Sequence, residues 1–408
     1  MARFVVNARP GDEALARGPV WLAMGFRPFF LGAAFFAAIV TPFWVHAVSS
    51  GASPGGGYLP PMLWHAHEMI FGYAMAVVAG FLLTAARNWT GQNTAHGLPL
   101  LGLFVLWLLG RAAMAGAFPP SPLLNGVLGV SFPVLLGVAV ARPILRTRNY
   151  RNLLVVAVLG LIALAALGVH LGAGRDPGLQ RASIYGALHL LIVLHVIIGG
   201  RIVPLFTRNR TGNPAVRNRP LLDRAAIVAA LAVAILGAMA ASRVGHPISP
   251  LLGLAALASG ILQLVRMGTW GTGSALRIPL LAVLHLGYFW IGAGHLLFAA
   301  SIFAPALPQS IALHALTIGV IGTMTVGMMT RVSLGHTGRP IRDSWVTVLA
   351  FASIALATPA RLLGAVVPPE RIPITWMVSG TLFALAVLVY FGMALVPLTT
   401  PRPDGRPG

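Results

Sequence analysis

The sequence predicts an all-α polytopic membrane protein with twelve transmembrane helices arranged as three four-helix pseudo-repeats. Of the 408 residues, 57% are hydrophobic and only 9% are charged, and the mean hydropathy is strongly positive. These values are typical of chains that cross a bilayer many times. Twelve apolar stretches are long enough to span the hydrocarbon core, which takes about 20 residues. Histidines also recur along the chain, and this recurrence predicts the repeats.

The apolar stretches occupy most of the chain between residues 20 and 397, which we therefore interpret as one membrane domain. They run over residues 20–46, 64–86, 98–117, 122–145, 152–172, 183–206, 223–241, 248–267, 277–303, 308–331, 345–366 and 372–396. Residues 1–19 lack the apolar core and cleavage site of a signal peptide, and we predict a cytoplasmic N-terminal segment there. Residues 398–408 are predicted to form a cytoplasmic tail without order.

The net charge of +20 reports membrane topology. Every basic residue is an arginine, and with both termini inside, 22 arginines fall in cytoplasmic segments and six in external ones. This is the positive-inside bias of membrane proteins. It predicts both termini in the cytoplasm and membrane lipid as a partner, and it argues against nucleic acid.

The chain contains no cysteine. Disulfides, iron–sulfur clusters, thiolate metal sites and covalent haem attachment are thereby excluded. A metal would have to be held by histidine, methionine, carboxylate or main-chain groups, and imidazole suits iron, copper and zinc.

The repeat is read from two sets of histidines. His46, His170 and His295 are 124 and then 125 residues apart, and a second set is spaced by 122 and 125 residues, namely His67, His189 and His314. Glycine and a Thr-Gly pair follow the second set at matching offsets in the first and third repeats, Thr90-Gly91 and Thr337-Gly338. The pseudo-repeats cover about 20–148, 149–274 and 275–397.

Helical rise places these histidines in two layers. At about 1.5 Å per residue, both repeat sets lie in the external third of the membrane. His195 and His285 fall near the midplane, at a common depth on different helices, as axial ligands of a haem would. Because a histidine inside a bilayer is costly unless something uses it, these positions predict ligation or hydrogen-bonded packing.

The run Trp64-His65-Ala66-His67-Glu68 supplies the most concentrated set of polar groups. On one helix, His65 and His67 point about 200° apart and could not share a metal. Glu68 is the only acid placed within a predicted span, and we predict a catalytic or proton-relaying role for it, or an orienting role for an imidazole. Its alternative is an interfacial acid at a helix start.

Further candidates complete the predicted site. Arg111 and Arg361 correspond in the first and third repeats and could pair with haem propionates or guide an anion, or extend to the interface. Methionines such as Met324 and Met328 could bind copper or fill packing space. The predicted metal ligands are His65, His67, His189, His195, His285, His295 and His314.

Several long motifs resemble those of the NnrS family, over about residues 20–397. They are Arg27-Pro28-Phe29-Phe30-Leu31, Trp64-His65-Ala66-His67-Glu68-Met69, Asn88-Trp89-Thr90-Gly91, Gly200-Arg201-Ile202-Val203-Pro204, and Thr330-Arg331-Val332-Ser333-Leu334-Gly335-His336-Thr337-Gly338-Arg339. The resemblance implies a bacterial inner-membrane protein that contains haem and copper and is linked to nitric oxide metabolism and nitrosative stress. The non-covalent haem, of b type, would use histidine ligands.

Three functions remain open from the sequence. The first is a redox enzyme that acts on nitric oxide or a related small molecule. It would be a membrane oxidoreductase resembling nitric oxide reductases, with an unknown electron donor. The second is a sensor or metal-homeostasis protein that binds haem or copper without turnover. The third is a secondary transporter, since twelve spans built from repeats are common among carriers.

Overall fold

The computed structural model describes residues 15, 18–119, 121–242, 250–304 and 306–406, and that part of the chain is helical without any strand. Most of the predicted N-terminal segment 1–19 therefore lies outside the described residues. Twelve long helices carry the fold. They are α1 Phe26–Ser50, α2 Pro61–Thr90, α3 Gly97–Met114, α4 Pro122–Arg146, α5 Tyr150–Gly172, α6 Pro177–Thr211, α7 Pro220–Ser242, α8 Pro250–Gly268, α9 Pro279–Phe303, α10 Gln309–His336, α11 Trp345–Ala365 and α12 Pro369–Thr399.

Eleven of these helices in the described ranges are long and apolar enough to cross a membrane. The third, α3, contains a shorter apolar stretch, Leu98–Met114. The all-α multi-pass fold is thus confirmed, while the count of twelve spans is confirmed for eleven. Boundaries also shift by a few residues: α1 begins at Phe26 and α2 at Pro61, whereas the sequence predicted 20 and 64.

Local sequence signals explain where several helices begin. Proline opens α4, α6 and α9, among others. Its fixed φ suits the first helical turn, where its missing N–H has no intrahelical partner to lose. At the start of α6, the Asp176 carboxylate also accepts hydrogen bonds from the backbone N–H groups of Gly178 and Leu179 at 2.9 and 3.0 Å. This cap satisfies two donors that would otherwise be unpaired.

The second helix of each repeat lies at the centre of the molecule. The apolar windows of α2, α6 and α10 are 89%, 61% and 78% buried, against 44% for α1 and 28% for α7. These three helices contact one another, and the hydroxyls of Tyr73 on α2 and Thr325 on α10 share a hydrogen bond of 2.6 Å. The candidate histidines of the second set therefore sit on strongly buried helices, as does His295 on α9, whose apolar window is also 61% buried.

The first and last helices pack together and close the ring around this centre. Arg27, near the start of α1 and 1% exposed, donates from Nη1 to the carbonyl oxygens of Pro397, Leu398 and Thr400. Three carbonyls at the end of α12 are left without helical partners, and the guanidinium satisfies them. Arg27 thus fastens the N-terminal repeat to the C-terminal one.

Backbone geometry supports the repeat register. The glycine of each Thr-Gly pair adopts a left-handed conformation, with φ of +68° at Gly91, +64° at Gly212 and +67° at Gly338. A residue with a side chain rarely adopts this conformation. In α2 and α6 this glycine is the C-terminal cap, whereas α10 ends one residue earlier, at His336, with Thr337 as its cap.

A π-helical segment distinguishes two of the repeats from the third. It follows His67 as Glu68–Ala74 in α2, and follows His314 as Ala315–Gly322 in α10, whereas Pro177–Thr211 is α-helical throughout. A π turn takes one residue more than an α turn. This accounts for the sequence offsets, because 23 residues separate the histidine from the Thr-Gly threonine in the first and third repeats and 22 in the second.

Two sequence expectations about charge need correction. Glu68 is not the only acid in a span, because Asp223 lies in the first turn of α7 and its carboxylate accepts a hydrogen bond from Arg266 Nε at 2.7 Å. The tail is also held in place as far as residue 406, since Arg402 donates to the His336 carbonyl at 2.7 Å and pairs with Asp404. The Asp223–Arg266 pair joins two different helices, whereas the Arg402–Asp404 pair is local to the tail.

Candidate functional site

Two buried histidines meet near the start of α2 and the end of α5. The rings of His67 and His170 are edge to face, with centroids 5.4 Å apart. Their exposed fractions are 0% and 5%. The pair bridges the first and second repeats and is shielded from water.

One nitrogen of each ring is fixed by a hydrogen bond and the other is free. His67 Nδ1 donates to the Glu68 carboxylate at 2.8 Å, and His170 Nδ1 shares a hydrogen bond of 3.1 Å with the Tyr58 hydroxyl. The Nε2 atoms of both rings are buried without a partner in the described structure. A ring oriented through one nitrogen, with its other nitrogen available, is the usual arrangement of a metal-binding histidine.

The charge of Glu68 is compensated locally. Its carboxylate forms a buried ion pair with Arg111 Nη1 at the outer end of α3, in addition to the bond from His67. Arg111 also lies over the ring of Phe36, with Cζ 6.0 Å from its centroid. The Glu68–Arg111 pair leaves the first site without net charge. Arg111 also holds Glu68 in contact with the His67 imidazole, which Glu68 orients.

Gly129 on α4 provides space for this site. A Cβ atom at Gly129 would overlap the imidazole of His170, whereas one at Gly126 would make ordinary contact at 3.6 Å. The absence of a side chain at 129 therefore leaves room for the His170 ring, whose Nε2 side lies against Gly129.

A second pair repeats the arrangement one repeat further along. His189 on α6 and His295 on α9 have ring centroids 6.5 Å apart and an interplanar angle of 28°. His295 Nδ1 is hydrogen-bonded to Ser259 Oγ at 3.0 Å, and its Nε2 and both nitrogens of His189 are buried without partners. Phe298 packs on His189 at 5.4 Å. This site is neutral and more apolar than the first.

The third repeat departs from this pattern. His46, the expected partner on α1, is exposed. Instead His65 of α2 stacks on Trp44 of α1, with ring centroids 4.5 Å apart and an interplanar angle of 7°. His65 lies within electrostatic range of His314 and Arg361. As the 200° separation on the helix implies, His65 and His67 have different neighbours.

Sequence register located these histidines but not their partnerships. The expectation centred on the second-helix set, whereas the structure joins His67 and His189 to first-helix residues of the following repeat, His170 and His295. The spacing identified His170 as a repeat histidine, but the predicted metal ligands did not include it. Tyr58 and Ser259, which orient the rings, gave no sequence signal.

The predicted midplane pair is not joined by a ring contact or hydrogen bond among the described residues. Both nitrogens of His285 are occupied, Nε2 by Thr207 Oγ1 at 2.9 Å and Nδ1 by Thr272 Oγ1 at 3.1 Å. In this arrangement both nitrogens of His285 are hydrogen-bonded, and its ligation of a metal stays a prediction. His195 lines an apolar cavity with Met324 and Met328, and His285 does not line it.

The described residues contain no group of three or more histidine, cysteine or acidic side chains placed to hold one ion. The candidate metal positions are therefore paired imidazoles. Residues 20–402 match the family described as NnrS protein. The chain belongs to the NnrS family.

Membership supports a role related to nitric oxide for this multi-pass membrane protein. A search of curated proteins gave no match. The two imidazole pairs lie within the matched range, as do the long motifs that carry the resemblance. For this NnrS protein, the chemistry of the site must therefore be argued from its own residues.

Proposed function

We propose that this NnrS protein is a copper-binding redox protein that acts on nitric oxide in the membrane. The observation that supports the proposal is the repeated pair of buried imidazoles with unpartnered nitrogens, His67 with His170 and His189 with His295. An unpartnered buried polar group costs about 1–3 kcal/mol. A bound ion would remove that cost at both sites.

The donor set favours copper among the metals that imidazole binds. Two neutral nitrogen ligands with no thiolate and few oxygens suit Cu(I) better than the oxygen-preferring ions. Copper would supply one-electron chemistry when bound. The protein's own contribution is to hold the two rings, exclude water and keep the first site neutral through Glu68 and Arg111.

Haem, which the resemblance implies, fits the described midplane residues poorly. The cavity that His195 lines has a volume of about 50 Å³, whereas pockets that enclose cofactor-sized ligands measure about 300–1,000 Å³. His195 Nδ1 is also bound to the Leu191 carbonyl at 2.7 Å. The proposal therefore uses no step that depends on haem.

Glu68 acts in this proposal as a positioning residue for His67. It is 2% exposed and bound to both Arg111 and His67, which favours orientation over free proton exchange. Nitric oxide is small and neutral and partitions into lipid, so it can reach buried imidazoles without a polar channel.

The test is the copper content of the full-length protein purified in detergent from copper-supplied cells, with spin resonance of the oxidised sample. We expect bound copper to fall in His67→Ala and in His189→Ala, and to fall further in the double variant. His285→Gln is the matched control, since it changes a buried histidine whose two nitrogens are both hydrogen-bonded. Folded protein that holds no copper, or copper unaffected by both alanine variants, would overturn the proposal.

Turnover is tested separately by anaerobic nitric oxide loss with ascorbate and a redox mediator. Consumption that follows copper content across the same variants supports an enzyme. Copper binding without consumption would instead support a sensor or metal-homeostasis protein.

A further inference from the structure

The three repeats differ in charge at equivalent positions. In the first, Arg111 is paired with Glu68, the residue after the repeat histidine. In the second, Leu190 follows His189, and the described range of α7, Pro220–Ser242, contains a single arginine, Arg224, close to its start. In the third, Arg361 is present near the outer end of α11, but Ala315 follows His314. The first two sites are neutral, and the third carries an arginine without the internal carboxylate.

Arg361 has no acidic partner among the described residues. Its recorded neighbours are the Trp376 ring, with Cζ 5.5 Å from the centroid, and two imidazoles within electrostatic range, His65 and His314. A partly buried guanidinium without an anion forgoes strong charge-assisted hydrogen bonds. Its surroundings are therefore those of a site for an external anion.

Unused donors lie beside it. Trp376 Nε1 is buried without a partner in the described structure, and so is the hydroxyl of Thr358. Thr358 lies three residues before Arg361 on α11, which places both on one face of that helix. The indole can only donate. An anion would satisfy groups that the chain leaves unpaired.

Gly364 packs closely beside Arg361. It follows Arg361 by three residues, and a Cβ there would make a tight contact with Thr375 Oγ1 at 3.1 Å and an ordinary contact with Arg361 Nη1 at 3.5 Å. Ala315 is fully buried at the position that carries the carboxylate in the first repeat. Replacement of glutamate by alanine removes both the charge and most of the side-chain volume.

We propose that Arg361, together with the Trp376 indole N–H and the Thr358 hydroxyl, binds a small planar oxyanion, such as nitrite or a carboxylate, at the position in the third repeat that corresponds to the Glu68 carboxylate. His314 lies nearby but is not a donor to the anion, because its Nδ1 donates to the Ser310 carbonyl at 2.6 Å. A guanidinium matches such an anion through two parallel N–H donors. The proposal stands apart from copper binding, because it rests on the third repeat and requires no metal.

The test is calorimetric titration of full-length protein in detergent with sodium nitrite, sodium formate and sodium chloride, before and after treatment with a metal chelator. We expect nitrite or formate to bind more tightly than chloride, and Arg361→Gln to weaken binding about tenfold or more. Arg371→Gln, which changes an exposed arginine in the first turn of α12, is the matched control and should bind as the native protein does. Preference for nitrite or for formate distinguishes the two sources of the anion.

A second variant tests the comparison between repeats. Ala315→Glu places a carboxylate where the first repeat has one, and it should abolish anion binding by pairing with Arg361. If that variant does not fold, Arg361→Gln still decides the question. Equal affinity in native and Arg361→Gln protein would overturn the site, and so would binding that disappears on chelation, since the anion would then be held by a metal.

Discussion

The imidazoles of His67 and His170 lie edge to face with centroids 5.4 Å apart, although the two residues belong to different repeats. Each ring is held through Nδ1, by Glu68 and Tyr58, and each presents an unpartnered Nε2. The contact exists because α2 lies at the centre of the helical ring and α5 packs beside α4 and α6. A second pair, His189 and His295, forms at the next repeat boundary.

Gly129 tests the geometry of the first site without changing a ligand. We expect Gly129→Ala to displace the His170 ring and to lower copper at that site, because a Cβ there overlaps the imidazole. Gly126→Ala is the control one turn away, where the added Cβ makes ordinary contact at 3.6 Å. Copper content and thermal stability of both variants provide the measurement, and equal copper in the two would argue against a tightly packed His170.

The Glu68–Arg111 pair is expected to show strong energetic coupling. Removing one member of a buried ion pair leaves an uncompensated charge and typically costs about 3–5 kcal/mol. Glu68→Gln and Arg111→Gln should each destabilise the protein, while the double variant should lose less than their sum. Denaturant unfolding in detergent measures the cycle. Additive losses would show that the two side chains act independently.

Glu68→Gln also separates orientation from proton transfer. As a positioning residue, it should affect copper content and the spin-resonance signal of the first site. A substitution that leaves copper, spectrum and turnover intact would remove Glu68 from the mechanism.

Tyr58 should titrate at higher pH than an ordinary tyrosine. It lies in the segment between α1 and α2, and burial raises its pKa because the phenolate is disfavoured away from water. The folded protein therefore favours neutral Tyr58, and this contribution to stability is present below the ordinary pKa and lost as pH rises through the raised one. The difference in tyrosinate absorbance between native and Tyr58→Phe protein gives its titration. Ionisation of Tyr58 at or below about pH 10, the ordinary value, would contradict the burial.

Arg27 should contribute strongly to stability. It bonds three carbonyl oxygens at the end of α12, and hydrogen bonds to charged groups contribute about 1.5–3 kcal/mol each. We expect Arg27→Gln to lower unfolding free energy by at least about 3 kcal/mol. Arg175→Gln, at an exposed position, should change it little. A similar loss of unfolding free energy in both variants would mean that removal of any arginine charge, and not loss of the contact between α1 and α12, is responsible.

Much of the fold could be predicted because apolar length and arginine distribution reflect the bilayer directly. The spacing of His67, His189 and His314 indicated the repeat, and the one-residue difference in the second unit corresponds to the missing π-helical segment. The shorter α3 was not distinguished, because composition defines the boundaries of a helix only approximately.

The site was predicted less completely. Depth along a helix indicated that the histidines lie near the outer face, but depth does not determine which helices are neighbours. The expectation for His195 and His285 illustrates this limit: their common depth suggested an axial pair, whereas His285 is bound to Thr207 and Thr272. Similarly, Arg111 and Arg361 occupy equivalent positions in the sequence, but their surroundings differ. Arg111 pairs with Glu68, whereas the third repeat has Ala315 at the position of Glu68.

The sequence by itself determined that this is a multi-pass helical protein of the NnrS family, without cysteine chemistry, whose polar residues recur in register. Those properties depend on composition and residue spacing, which can be read from the sequence without knowing which helices are neighbours. Only the tertiary structure decided that His67 faces His170, that His189 faces His295, and that Arg361 lacks the carboxylate given to Arg111. These outcomes depend on lateral packing of helices, where a rotation or a single π turn changes which side chains meet.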